Sequence, residues 1–175
     1  EFERPVEAPG QPAAPIAVVP PVSVRIPERV HLFPGCNPGT VTVLVQSHTG
    51  GAAGELALNP PAGWAVDPPT RAFHIEREGE HATVSFKVTP PAGETRGTCG
   101  ATARVRGKEV SFGLVEASYP ELSRQVALET ARTTLLRDGV GALAREIGYL
   151  MGTGDDVPLA LRQMVCAVTI SEERL

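Results

Sequence analysis

The chain has 175 residues and a formal net charge of -4, with 42% hydrophobic and 21% charged residues. This charge gives no basic footprint, so binding to nucleic acid or anionic membranes would lack the electrostatic attraction that normally drives it. No apolar run reaches the roughly 18 residues of a membrane-spanning helix. With 17 prolines and 18 glycines, the composition favours strands, turns and linkers over an all-helical fold. We therefore expect no nucleic-acid partner and no membrane span.

The amino-terminal segment, residues 1–21, is dominated by proline, alanine and valine. Such a composition favours extended conformations and buries little apolar surface. We interpret this segment as a linker. An edge strand that begins near Val18 is the alternative, because an edge strand tolerates proline.

Residues 22–117 contain short segments in which apolar and polar residues alternate, separated by proline and glycine clusters. Regular strand spacing without an intervening helical period predicts an antiparallel, immunoglobulin-like β-sandwich. The predicted strands are Val22–Ile26, Val30–Phe33, Thr40–Gln46, Gly54–Asn59, Arg71–Ile75, His81–Thr89, Thr98–Val105 and Lys108–Val115. The last two flank Arg106-Gly107, which predicts a hairpin turn.

The alternation ends near Tyr119-Pro120, and residues 118–144 mix apolar and charged residues without a clear period of two. The apolar positions of this segment predict a connector that is partly helical, with an irregular crossover as the alternative; they are Val126, Ala127, Leu128, Ala131, Leu135 and Leu136.

Residues 145–175 have the order of a β-α-β unit. A strand is predicted at Ile147–Met151, a helix at Leu159–Met164 and a second strand at Cys166–Ile170. Such a unit pairs its strands in parallel through a right-handed crossover. Val157, Leu161 and Met164 form the stripe by which the helix is expected to face the sheet.

The turn before this helix, Gly152-Thr153-Gly154, resembles the phosphate-binding turns of nucleotide folds. Asp155 and Asp156 follow it, and their negative charge at the helix start favours a capping role over phosphate binding. We keep Gly152, Gly154, Asp155 and Asp156 as a candidate ligand turn.

Aromatic residues make up 5% of the chain, and Trp64 is its only tryptophan. Trp64 and Tyr119 are candidate contacts for a glycan, with Tyr149 and Phe73 as further members of an aromatic platform. Packing at the end of the sandwich is the favoured role of Trp64, because so few aromatic residues are available for the core.

The cysteines and histidines show no ligand spacing. Cys36, Cys99 and Cys166 form no C-x-x-C pair, so we favour three free thiols over a Cys36–Cys99 disulfide. The four histidines are predicted as surface or loop residues rather than a zinc site, although two of them, His74 and His81, could face each other across a hairpin.

Three stretches, Thr40–Val45, Leu58–Trp64 and Ala82–Gly93, resemble the NPCBM-associated, NEW-type β-sandwich found beside catalytic domains of bacterial carbohydrate-active enzymes. The motifs P-x-G-W and V-T-P-P carry this resemblance. Ile147–Met164 is similar to the region that follows such a sandwich in large bacterial PIG-L/LmbE-type deacetylases, where it opens a flavodoxin-like or amidotransferase-like α/β domain.

The resemblance implies a non-catalytic accessory region of a secreted, periplasmic or cell-envelope zinc-dependent N-deacetylase. The family's Ala-His-Pro-Asp-Asp zinc motif has no match here, so the resemblance implies no catalytic residue, metal ligand or cofactor in this chain, and zinc only in a separate catalytic domain. That domain and, weakly, a glycan are the implied partners, and we expect the chain to be a fragment of a longer protein. The alternatives are a ligand-binding or enzymatic α/β domain with a site over the Gly152–Asp156 turn, and a purely structural spacer.

Overall fold

The computed structural model describes residues 20–117, 125–139, 146–151, 157–164 and 166–171. This part of the chain is mostly β, a sandwich-like fold followed by a β-α-β unit with one short helix, which confirms the predicted fold class. The predicted linker lies outside the described residues up to position 19. The elements are β1 (Val22–Arg25), β2 (Val30–Phe33), β3 (Gly39–Ser47), β4 (Ala52–Asn59), β5 (Ala65–Asp67), β6 (Thr70–Ile75), β7 (His81–Thr89), β8 (Thr95–Val105), β9 (Lys108–Val110), β10 (Phe112–Ala117), β11 (Gln125–Thr130), β12 (Arg132–Arg137), β13 (Glu146–Leu150), α1 (Val157–Gln163) and β14 (Ala167–Ser171).

The first sheet has the strand order β1-β3-β7-β5, and its neighbours are antiparallel. In β3, Val41, Val43 and Val45 are fully buried, while the residues between them are partly exposed. Phe86 lies opposite Val41 in the register and is also fully buried. Since burying one such side chain contributes about 1.5–3 kcal/mol, the alternating face of β3 and β7 provides much of the stability of the core.

The second sheet has the order β2-β12-β8-β4-β6, with β9 paired to β8. Its pairs are antiparallel except for β2 and β12, which run parallel. The predicted hairpin between β8 and β9 is confirmed. Arg106 and Gly107 both have positive φ, 49° and 79°, as a two-residue hairpin turn of type I′ requires. In this order, β2 is an edge strand of the sandwich.

The prediction of a partly helical connector is wrong for residues 125–137, which form β11 and β12. β11 pairs with β10 in a separate two-stranded sheet, and β12 lies between β8 and β2. Thr133 and Leu135 are buried on the core face of β12, whereas Arg132 is exposed. Apolar spacing alone misled the prediction, because hydrogen bonding to two neighbouring strands decides this conformation. The sandwich therefore extends beyond position 117, and the rest of the predicted connector, at 118–124 and 140–144, lies outside the described residues.

The β-α-β unit is confirmed. β13 and β14 are parallel, with Glu146 opposite Ala167. The predicted apolar stripe of α1 is only partly correct, because Leu161 and Met164 are half-buried but Val157 is 45% exposed. The buried residue of this helix is Pro158. In the described part of the chain, no helix has the length and apolar character needed to cross a membrane.

Candidate functional site

A cleft of about 340 Å³ lies where the edge strand β2 meets α1. The turn before β2, β2 itself and the loop that follows it form most of its lining, and α1 contributes Leu159 and Gln163. Its volume is at the lower end of the range of about 300–1,000 Å³ typical of small-molecule sites. Because it combines apolar walls with a buried histidine and a carboxylate, this cleft is the candidate functional site.

His31 is the buried histidine of the cleft, with 6% of its surface exposed. Its Nδ1 lies 3.0 Å from the Thr133 hydroxyl of the neighbouring strand β12. Burial lowers the pKa of His31 below its ordinary value of 6.5, and the nearby Glu28 carboxylate opposes this shift in part. At neutral pH the ring is therefore uncharged. The sequence prediction of a surface or loop residue is wrong here, although the alternation in β2 places His31 on the same face as Phe33 and could have indicated its burial.

Glu28 supplies the carboxylate of the cleft. Its Oε2 lies 3.8 Å from His31 Nε2, a distance that makes an ion pair only when the ring is protonated and that is too long for a hydrogen bond. Oε2 is buried and has no hydrogen-bond partner, while the side chain as a whole remains 27% exposed. The cleft thus contains a carboxylate with an unsatisfied oxygen beside a neutral imidazole.

Gln163 joins the helix to the sandwich. Its Oε1 accepts a hydrogen bond of 2.8 Å from the Leu32 backbone N–H, and its Nε2 donates one of 3.3 Å to the Val30 carbonyl. These two backbone groups point away from β12, since β2 uses alternate residues for its parallel ladder. One glutamine side chain therefore satisfies a donor and an acceptor on the open edge of β2, as a neighbouring strand would.

The chemistry available in the cleft includes recognition and proton exchange. Among the described residues, no group of three or more histidine, cysteine or acidic side chains could hold a metal ion. A neutral imidazole beside a carboxylate can accept hydrogen bonds or accept a proton. No motif or residue spacing in the sequence predicts this site, because its residues come from segments more than a hundred positions apart.

A second polar pair, Ser23 and His48, joins β1 to the turn after β3. Ser23 Oγ lies 2.9 Å from His48 Nε2, and the backbone N–H of His48 donates a 2.9 Å hydrogen bond to the Pro21 carbonyl. This is the spacing of a nucleophile and its base. Ser23 is only 5% exposed, however, which leaves little of its surface open to a substrate. We assign this pair a structural role.

Trp64, a predicted glycan contact, lies in the core. It is 6% exposed, and its ring meets Phe33 edge to face with centroids 4.9 Å apart and an interplanar angle of 73°. The favoured packing role is thereby confirmed, and Phe73, at 6% exposure, is buried as well. A sugar platform needs an exposed ring face, which neither residue offers.

The other predicted site residues, Tyr119 and the candidate ligand turn of Gly152, Gly154, Asp155 and Asp156, lie outside the described residues. The alternative that placed His74 and His81 across one hairpin is wrong, since β6 and β7 belong to different sheets.

None of the three cysteines forms a disulfide, as favoured from the sequence. Burial raises the pKa of the Cys99 thiol to about 12, which makes this thiol unreactive at neutral pH. Cys36 is exposed, and Arg137 Nη2 donates to its sulfur at 3.5 Å.

Comparison with known proteins identifies no family for this chain. No protein-family model matches the chain, and no curated protein matches it. Among solved structures, the chain is similar to a protein of unknown function from Porphyromonas gingivalis W83, with 13% sequence identity over 78% of this chain and a TM-score of 0.34. The matched region spans 61% of that protein's chain.

Proposed function

We propose that this chain is a non-catalytic accessory module in which a β-sandwich holds an adjoining α/β segment in a fixed orientation. The parent protein that we propose, from the resemblance of the sequence, is an extracytoplasmic PIG-L-like deacetylase. In that setting the module positions the catalytic domain. The observation that carries the proposal is the pair of hydrogen bonds by which Gln163 joins α1 to the edge of β2.

The position of this contact supports a positioning role. Gln163 is the last residue of α1, and β14 begins four residues later. The helix also contributes Leu159 to the cleft wall beside β2. Hydrogen bonds fix direction as well as distance, so this joint constrains the helix, and with it the parallel pair β13–β14, more strongly than an apolar contact alone would.

Glycan contact receives less support than positioning. The tryptophan on which it would most naturally depend is buried against Phe33. We therefore propose that any affinity of the parent protein for glycan depends mainly on other parts of that protein.

The proposal is tested by ¹⁵N relaxation of the purified 175-residue chain, which reports whether two parts of a molecule tumble together. Amides of the sandwich and of β13, α1 and β14 should give one correlation time. In Gln163→Ala, the amides of the β-α-β unit should show faster local motion, while those of the sandwich stay unchanged. A matched control is Gln46→Ala, because Gln46 also donates to a backbone carbonyl but lies exposed on β3.

Independent tumbling of the two parts in the wild-type chain would contradict the positioning role. The same sample should be incubated with N-acetylglucosamine oligomers and added zinc. Release of acetate would contradict the non-catalytic assignment.

A further inference from the structure

The β2–α1 cleft carries a net negative charge. Of its described lining residues, Glu28 and His31 alone have ionisable side chains. His31 is uncharged there, because burial lowers its pKa. The carboxylate of Glu28 is therefore the one charge that a ligand in this cleft would meet from the described lining.

One oxygen of this carboxylate lacks a hydrogen-bond donor. Oε2 of Glu28 is buried without a partner, and the nearest polar atom that the structure pairs with it, His31 Nε2, is 3.8 Å away. A carboxylate oxygen removed from water without a donor is unfavourable. Oε2 itself is closed to solvent, so a ligand in the cleft meets Glu28 through the 27% of its side chain that stays exposed. A group that brings both positive charge and N–H donors would compensate this deficit.

The walls of the cleft are suited to an apolar body. Leu32, Pro34 and Pro38 line the sandwich side, and Leu159 lines the helix side. Leu159 is 40% exposed on α1, so part of its apolar surface is open to solvent in the described structure. A ligand with a short hydrocarbon stem would cover such surface, at a gain of roughly 25 cal/mol for each Å² removed from water.

We propose that this cleft binds a small organic cation, a primary ammonium group on a short apolar body, with Glu28 as its counter-ion. This binding site goes beyond the accessory role and does not depend on it. The ammonium group faces Glu28, and the apolar body lies between the Pro34 loop and Leu159. Carboxylate ligands are repelled by the same Glu28 charge.

The test is an NMR titration of the full chain at pH 7.5 with n-butylammonium, n-butanol and butyrate, which share a four-carbon skeleton and differ in charge. Butylammonium should give saturable shifts of the backbone amides of Leu32, Gly35 and Gly39. Butanol should bind at least about tenfold more weakly, because it lacks the charge-assisted hydrogen bond, and butyrate should give no saturable shift. Glu28→Gln should weaken butylammonium binding by about tenfold or more. Glu76→Gln, an exposed acid beyond the end of β6, should leave it unchanged.

Equal binding of butanol and butylammonium, shifts confined to residues away from the cleft, or full affinity in Glu28→Gln would overturn the proposal. Thermal unfolding checks that each variant is folded. If Glu28→Gln does not fold, Leu159→Arg replaces it, since this exposed helix position puts a competing cation at the cleft. Undiminished butylammonium binding in Leu159→Arg would also overturn the proposal.

Discussion

The backbone N–H of Leu32 donates a 2.8 Å hydrogen bond to Oε1 of Gln163, so a helix side chain completes the edge of a sandwich strand. The amide nitrogen of the same side chain donates to Val30 O at 3.3 Å. Two such hydrogen bonds contribute about 1–3 kcal/mol in total. Removing them should shift the equilibrium between attached and detached helix by roughly one to two powers of ten.

Trp64→Ala should lower the free energy of unfolding by about 3–5 kcal/mol, because it leaves a cavity beside Phe33. Trp64→Phe should cost clearly less. It keeps an aromatic ring, and the indole Nε1 that it removes is buried without a hydrogen-bond partner. Urea unfolding of the three proteins measures this difference. Near-wild-type stability of Trp64→Ala would contradict the core assignment.

Gly54→Ala should destabilise the sandwich, because a β-carbon at position 54 would collide with the carbonyl oxygen of Arg104 on β8. Both atoms belong to paired strands, so relief requires the backbone to move. Gly93→Ala is the matched control, since a β-carbon there meets no atom within 4 Å. We expect a melting temperature several degrees lower for Gly54→Ala alone, measured by circular dichroism. Equal melting of the two variants would show that β4 and β8 are less closely apposed.

Acidification should destabilise the protein through His31. Burial lowers the pKa of His31 in the folded state, so below its ordinary value of 6.5 the unfolded chain binds a proton that the folded chain resists. This contribution to the free energy of unfolding is present above pH 6.5, falls as the pH drops below that value, and levels off below the folded-state pKa. Neighbouring Glu28 moderates the effect.

The measurement is urea unfolding at several pH values between 5 and 8, compared with His31→Asn. Asparagine keeps a polar atom near the position of Nδ1 and does not titrate. The difference in free energy of unfolding between wild type and His31→Asn should change between pH 8 and pH 5. His74→Asn, at an exposed position of β6, should keep the wild-type slope. If His31→Asn keeps the full wild-type dependence of the free energy of unfolding on pH, that dependence comes from other groups.

Much of the sandwich was predictable, because a strand with one buried face must alternate. Val41, Val43 and Val45 on β3 show this directly, and the two-residue turn at Arg106-Gly107 follows from its own dihedral requirements. β12 was not predictable. Its pairing with β8 and β2 is long-range, and local spacing does not reveal it.

The candidate site was hidden for a related reason. Glu28, His31, Thr133 and Gln163 meet only after the strands have paired and the helix has attached. A glutamine at the end of a short helix carries no signal that it will bind an edge strand. The burial of His31 is the one feature of the site that the sequence could have predicted, because His31 and Phe33 lie on the same face of β2.

The most direct test of the positioning role is the hydrogen-exchange rate of the Leu32 amide, measured by NMR in the wild-type chain, Gln163→Glu and Gln46→Glu. Gln163→Glu retains an acceptor for Leu32 but sets an oxygen against the Val30 carbonyl, so attachment of the helix should weaken. We expect a protected Leu32 amide in wild type and in Gln46→Glu, and an exchange rate at least about tenfold higher in Gln163→Glu. A Leu32 amide that exchanges freely in the wild-type chain, or at the same rate in all three proteins, would contradict the positioning role.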